Sequence, residues 1–221
     1  MSLISTYDIR LWMGLDEGDR KPNAKLASLA LVVEDFVDSY TNRKLEAKRY
    51  LTDPSFSYYD GKGRDYLYLQ NFPVSYVSSV NIDESRTFGS GTLLSSSAYF
   101  FYPQEGKIKL TSGVYAFDVV GGGFTRGRRN VLVDYTAGYA PVVGGTHDMA
   151  VSTYPIPNDL KQVMIEMCSK SFKEGMTAVH SVATGVDSQG DFSQMLTKNS
   201  FWKITLDKYK NLSSLFFGRD E

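Results

Sequence analysis

The sequence is poor in the residues on which most catalytic and metal chemistry depends. Among 221 residues it has one cysteine, Cys168, and two histidines, His147 and His180. A single thiol excludes an internal disulfide and any cluster built from several cysteines. Two histidines so far apart form no zinc pattern. Asp187 and Asp191 flank a Gly-containing polar stretch, but the Asp-x-Asp-x-Asp-Gly spacing and terminal Glu of a calcium loop are missing. There is no Gly-x-Ser-x-Gly elbow, and neighbours such as His147 and Asp148 do not aim their side chains at one point. Cys168 falls on the apolar side of a helical stretch, which predicts a buried, inert thiol. The expectation is a protein that is not an enzyme and holds neither metal nor cofactor.

An excess of one charge is also missing. Lys and Arg number 24 against 25 Asp and Glu, for a net charge of −1. That argues against a chain whose main task is gripping nucleic acid, though not against a surface that DNA passes. The longest apolar runs are a handful of residues, far below a membrane span, so no membrane is expected as partner. Met1–Asp8 lacks the charged start and apolar core of a signal peptide, which predicts assembly in a cytoplasm.

Aromatics are what the chain does have, with 15 Tyr and 13 Phe against 2 Trp. Tyrosine suits both strands and interfaces, because its ring buries area while its hydroxyl still finds a partner. Along the sequence these residues are scattered over many strand-like segments. A sugar-binding platform would need them on one exposed face.

Helical spacing marks both ends of the chain. Ser5 or Thr6 caps a short helix running to about Leu15, with Asp8 in its first turn and Ile9, Leu11, Trp12 and Leu15 as its apolar side. Leu26, Leu29, Ala30, Val33, Phe36, Val37 and Tyr40 then line one face of a helix over 23–40, with Glu34, Asp35 and Asp38 off the stripe. Leu160, Val163, Met164, Met167, Cys168 and Ser171 mark a third helix that ends near Gly175. A flexible polar link over 184–191 leads to a final helix over 200–212, with Trp202, Leu206 and Tyr209 on one face.

Between the helices the period changes. Segments 66–69, 77–82, 98–102, 107–110 and 130–135 read as strands, separated by Gly- and Pro-containing turns that favour antiparallel pairing. Residues 138–154 read as loop. The expected fold class is α+β: a small helical bundle core of about four helices, with a long antiparallel β-rich insertion between helices 2 and 3. In boundaries, that is a single domain over 1–221, with a helical core from 1–43 and 155–212, an insertion over 44–140 and a tail over 213–221.

Two segments suggest contact surfaces. Gly121–Arg129 fails as a phosphate loop, because no Gly-Lys-Ser/Thr ends it and a strand follows it. As a basic loop it offers Arg126, Arg128 and Arg129 to DNA phosphates or an acidic partner, or it is simply a solvated turn. Arg43, Lys44, Lys48 and Arg49, with Glu46 among them, read as a solvated face. At the end of the chain, Leu215, Phe216 and Phe217 sit on a tail too short to build a core, and such apolar termini dock on something.

The order of these elements resembles the head–tail connector (adaptor) family of tailed bacteriophages. The resemblance rests on a short helix followed by a longer one ending in Tyr40-Thr41-Asn42-Arg43. A Leu-x-Leu strand and Pro73 then precede Val77-Ser78-Ser79-Val80. Gly106-Lys107-Ile108-Lys109-Leu110 comes before Val131-Leu132-Val133-Asp134-Tyr135-Thr136-Ala137-Gly138-Tyr139, and Pro157-Asn158-Asp159-Leu160-Lys161 opens the third helix. The match covers roughly residues 5 to 175. The insertion is longer than in the smallest adaptors.

The resemblance implies a structural virion protein. Copies would form a ring of about twelve subunits on the portal, closing the packaged head, offering a platform to a stopper or tail-completion protein, and giving double-stranded DNA a conduit. The chain would then reside in the neck of the virion. Leu215, Phe216 and Phe217 would dock on the portal or a neighbouring subunit. The competing readings are a tail-completion or stopper protein, and a carbohydrate-binding module.

Overall fold

The computed structural model describes residues 2–16, 18–51, 53, 55–111, 123–143, 146–147, 151–174 and 188–211. It is α+β, with five helices among the described residues and antiparallel sheets inserted between the second and third. The described chain forms two compact units, one mainly helical and one built from the residues between Leu45 and Tyr139 with the stretch ending at Tyr154.

In the helical unit, α1 spans Thr6–Met13 and opens on a reciprocal cap. The Ser5 hydroxyl accepts from the Asp8 amide at 3.0 Å, and the Asp8 carboxylate accepts from the Ser5 amide at 3.3 Å. This satisfies donors that a helix start otherwise leaves open. Gly14, at φ +65°, closes the helix in the left-handed conformation that a glycine adopts without strain, so α1 stops short of Leu15. Its expected apolar side is also only half right. Ile9 is fully buried, but Leu11 and Trp12 are 67% and 53% exposed.

Helix α2 (Asn23–Thr41) buries Leu26, Leu29, Ala30, Val33, Phe36 and Val37, as its spacing predicts. Glu34 and Asp38 are buried as well, because each carboxylate has work to do there. Glu34 accepts from the Ser2 hydroxyl at 2.9 Å and the Leu3 amide at 3.2 Å. Asp38 pairs with Lys44 at 3.0 Å. Helix α3 (Asn158–Lys173) buries Leu160, Val163, Met164, Met167, Cys168 and Ser171 against α1 and α2.

Two helices follow. Helix α4 (Ser188–Lys198) begins inside the segment expected to be a polar link, and it buries Phe192, Met195 and Leu196. The Phe192 ring lies 5.1 Å from Phe36. Helix α5 (Ser200–Lys208) is shorter than expected and buries Trp202 and Leu206, with Tyr209 as its C-cap. Polar bonds fix it to α3: the Trp202 indole N–H donates to Glu166 at 2.6 Å, and the Tyr209 hydroxyl to Asp159 at 2.5 Å. The expected loop over 138–154 includes a small hairpin, Val142–Val143 with Thr146–His147.

The second unit is organised by one strand. In chain order its strands are β1 (Lys48–Tyr50), β2 (Tyr58–Gly61), β3 (Tyr66–Tyr68), β4 (Val74–Ile82), β5 (Tyr99–Tyr102), β6 (Lys107–Leu110) and β7 (Gly127–Ala137). Strand β7 carries β4 along one edge, and β1 and β2 end to end along the other. Strands β3, β6 and β5 form a separate three-stranded sheet. Every pair among these strands is antiparallel. Both sheets feed one core, with Tyr50, Val77, Val80, Val131, Val133 and Tyr135 from one and Leu67, Ile108 and Leu110 from the other.

Two details lock this core. The Tyr135 ring stacks on Tyr50 at 5.0 Å, and its hydroxyl lies 3.0 Å from that of Tyr59. At the root of the unit, the Tyr139 amide donates to the Leu45 carbonyl at 2.7 Å and the Ala47 amide to the Tyr139 carbonyl at 2.8 Å. The entering and leaving chains therefore run side by side. The basic group expected on a solvated face is partly built in. Arg43 is buried at 3% exposure, and Arg49 grips the buried Asp134 through two bonds at 3.0 and 2.5 Å.

Candidate docking surface

Alternation decides which residues of the three-stranded sheet face outward. Leu67, Ile108 and Leu110 point into the core, so their neighbours in β3 and β6 point the other way. Register then aligns these across strands, since directly paired residues share a face. Tyr68, Lys107 and Tyr102 form one row, and Tyr66, Lys109 and Phe100 form the next. Four aromatic side chains and two lysines thus share one outer face, with Phe100 and Tyr102 exposed and Tyr66 and Tyr68 half-buried. Four of the aromatics scattered over the strands in sequence are gathered here, while others such as Tyr50, Tyr135 and Phe192 are buried.

Two cations at this face, Lys107 and Arg64, lie over its rings. The Lys107 ammonium is 5.3 Å from the centre of Tyr66, 5.8 Å from Tyr68 and 5.2 Å from Tyr102. Arg64 lies 5.7 Å over Tyr66 and donates to its hydroxyl at 2.9 Å. Contacts of this kind stabilise by about 0.5–1 kcal/mol each at exposed sites. The rings also meet edge to face, Tyr66 with Tyr68 at 5.6 Å and Phe100 with Tyr102 at 5.3 Å. Two carboxylates border the face, Asp65 at 3.5 Å from Lys109 and Glu105 at 3.9 Å from Lys107. One ammonium, that of Lys107, thus serves three of the four rings.

The three arginines singled out in the sequence are all exposed. Arg128 and Arg129 stand in the first residues of β7, where a loop was expected, and Arg126 immediately precedes the strand. The register between β2 and β7 slips here, from Gly61 opposite Gly127 to Tyr59 opposite Val131. The extra residues bulge, with Arg129 at φ +52°. Its amide donates to Asp60 at 2.6 Å, and its guanidinium lies 5.2 Å over Tyr58. Asn130 ties the bulge from within, accepting from the Gly61 amide at 2.8 Å and donating to the Thr125 carbonyl at 2.8 Å. The Arg126 side chain packs against Gly63, the residue before Arg64. Leu215, Phe216 and Phe217 lie outside the described residues, as do His180, Asp187, Gly121 and Gly122.

Of the groups weighed for chemistry, Cys168 and His147 lie among the described residues. Cys168 is buried, and burial pushes its thiol up to about 12. The His147 ring nitrogen Nδ1 is 3.1 Å from the Ala140 carbonyl. Among the described residues, no group of three His, Cys, Asp or Glu side chains could hold a metal ion, and no helix is long and apolar enough to cross a membrane. Outside the sheet face, the larger exposed apolar side chains include Tyr7, Leu11 and Trp12 on α1 and Phe201 and Ile204 on α5.

No protein-family model matches the chain, and no curated protein matches it. Solved structures do. A chain in the neck of an empty gene transfer agent (GTA) particle, computed with C6 symmetry, is 16% identical with a TM-score of 0.47, covering 77% of this chain and 78% of that one. A chain in the virion of a native GTA particle gives the same values. A third, in the neck of a native GTA particle computed with C12 symmetry, is 14% identical with a TM-score of 0.37, covering 76% and 75%.

Proposed function

We propose that the chain is a structural protein of the neck of a tailed, phage-like particle, and within the neck a head–tail connector of the adaptor type. Copies assemble into a ring on the portal, close the filled head, present a platform to a stopper or tail-completion protein, and leave a channel for double-stranded DNA. The observation that carries this is the bracket. Helices α1 and α2 precede, and α3 to α5 follow, a β unit whose entering and leaving chains are hydrogen-bonded side by side. The motifs behind the family resemblance fall at its joints: Tyr40-Thr41-Asn42-Arg43 at the end of α2, β7 running into Gly138-Tyr139, and Pro157 at the start of α3.

The charge balance agrees with a conduit. At a net charge of −1, the chain lacks the basic excess that would hold DNA by counterion release and slow its exit. Leu215, Phe216 and Phe217 are assigned to docking on the portal or a neighbouring subunit, since three consecutive apolar residues gain by being covered.

The test is electron microscopy of the purified chain mixed with portal rings of the same particle. A second ring stacked coaxially on the tail-facing end of the portal is the expected result. Bare portals beside unbound protein overturn the adaptor assignment and favour a stopper.

A further inference from the structure

We propose that the outer face of the β3–β6–β5 sheet docks an acidic surface of a second protein. This deepens the neck reading and rests on it for taking that partner to be another neck protein.

The face is built to meet carboxylates. Its cations are Arg64, Lys107 and Lys109, against the carboxylates of Asp65 and Glu105. That is a small excess of positive charge on a chain whose net charge is −1. Lys107 is held in place rather than free to sweep, ringed by Tyr66, Tyr68 and Tyr102, while Lys109 is in register with Tyr66 and Phe100 and pairs with Asp65. Fixed cations among exposed aromatic rings have the composition of an interface core, where aromatics anchor and charge sets register.

Other occupants fit less well. Duplex DNA would use the cations through its phosphates, but it would leave the exposed Phe100 and Tyr102 without an apolar partner. A second copy of this chain offers exposed apolar side chains at Tyr7, Leu11 and Trp12. The charged residues that follow them, Asp16 and Asp19, are matched by Arg20 and Lys21, so that end carries no acidic excess among its described residues. The face paired with itself would oppose cation to cation. The partner that fits is one whose carboxylates reach Lys107, Lys109 and Arg64 while its apolar groups cover Phe100 and Tyr102.

The experiment uses the full chain, titrated against purified portal rings and, separately, against the purified tail-side neck protein of the same particle. Wild type is compared with Lys107→Glu/Lys109→Glu and with Phe100→Ala/Tyr102→Ala, and thermal unfolding checks that each variant is folded. If charge reversal unfolds the chain, Lys107→Gln/Lys109→Gln replaces it. The expected result is binding to one partner that salt weakens, that charge reversal weakens about tenfold or more, and that the aromatic pair weakens severalfold. Both variants binding like wild type overturns the docking face and leaves the neck reading standing.

Wild type binding neither partner overturns the neck reading, and poly-L-glutamate then decides the face. Salt-sensitive binding that the lysine reversal removes supports it, and no binding overturns it. Random-sequence duplex DNA is the last probe. Retention that the lysine reversal abolishes and the aromatic pair leaves unchanged overturns the protein assignment in favour of a nucleic-acid face.

Discussion

Gly138 lies so close to Ala47 that a Cβ built on it would come within 2.7 Å of the Ala47 backbone nitrogen and Cα. Its φ of +115° is likewise open only to glycine. The two facts have one cause. The chain leaving β7 must pass flat against the chain entering β1, and a side chain would wedge them apart. Gly138→Ala is expected to cost on the order of 3 kcal/mol, read as a lower thermal unfolding midpoint. A melt like that of wild type would mean the two chains are not so closely apposed.

Tyr135 and Tyr59 share a buried hydroxyl contact, so Tyr135→Phe should destabilise the sheet unit by about 1 kcal/mol at neutral pH. Burial pushes the Tyr135 hydroxyl from its ordinary 10 up to about 12, and Tyr59 is raised in the same direction for the same reason. Below pH 10 the folded and unfolded chains both keep the proton, and the contribution is constant. Between 10 and about 12 the unfolded chain releases a proton that the folded chain retains, so stability falls as pH rises. Denaturant unfolding measured across that window should show the decline, and Tyr135→Phe should make it shallower.

Helix α5 depends on a charge-assisted bond from the Trp202 indole to Glu166. Trp202→Phe keeps much of the buried ring and removes the donor, so it is expected to cost about 2 kcal/mol. Hydrogen exchange should show α5 amides losing protection ahead of those in α2. Equal protection in variant and wild type would mean that apolar packing alone holds the helix.

Removing residues 213–221 tests the assignment of the tail. The shortened chain should unfold at the wild-type temperature yet no longer attach to portal rings. Full attachment would take Leu215, Phe216 and Phe217 out of the docking surface.

What the sequence revealed depended on how local each signal was. The α2 stripe and the strand pattern over 130–135 are carried by neighbouring residues, and both are where the spacing puts them. Strand β1 went unread because Lys48-Arg49-Tyr50 is short and mostly charged, and its place in the sheet comes from pairing with distant Ala137, Thr136 and Tyr135. Helix α4 is hard to read although Phe192, Met195 and Leu196 carry helical spacing, because Gly190 and the polar residues before them resemble a linker. Burial of Glu34 and Asp38 was illegible because their partners Ser2, Leu3 and Lys44 come together only in the fold. The aromatic face was the least accessible. Alternation puts Tyr66 and Tyr68 on one side of a strand, but only the register of β6 between β3 and β5 brings Phe100 and Tyr102 beside them.

The side-by-side crossing of the Leu45 and Tyr139 segments also bears on how such a chain can change over evolutionary time. An insertion whose two ends already touch imposes almost no spacing on its host sequence: it can lengthen, shorten or be exchanged for another while the flanking helices keep their connection. The β unit is in this sense a cassette. Selection on whatever it contacts can rewrite its outward surface without rewriting the helices that carry it.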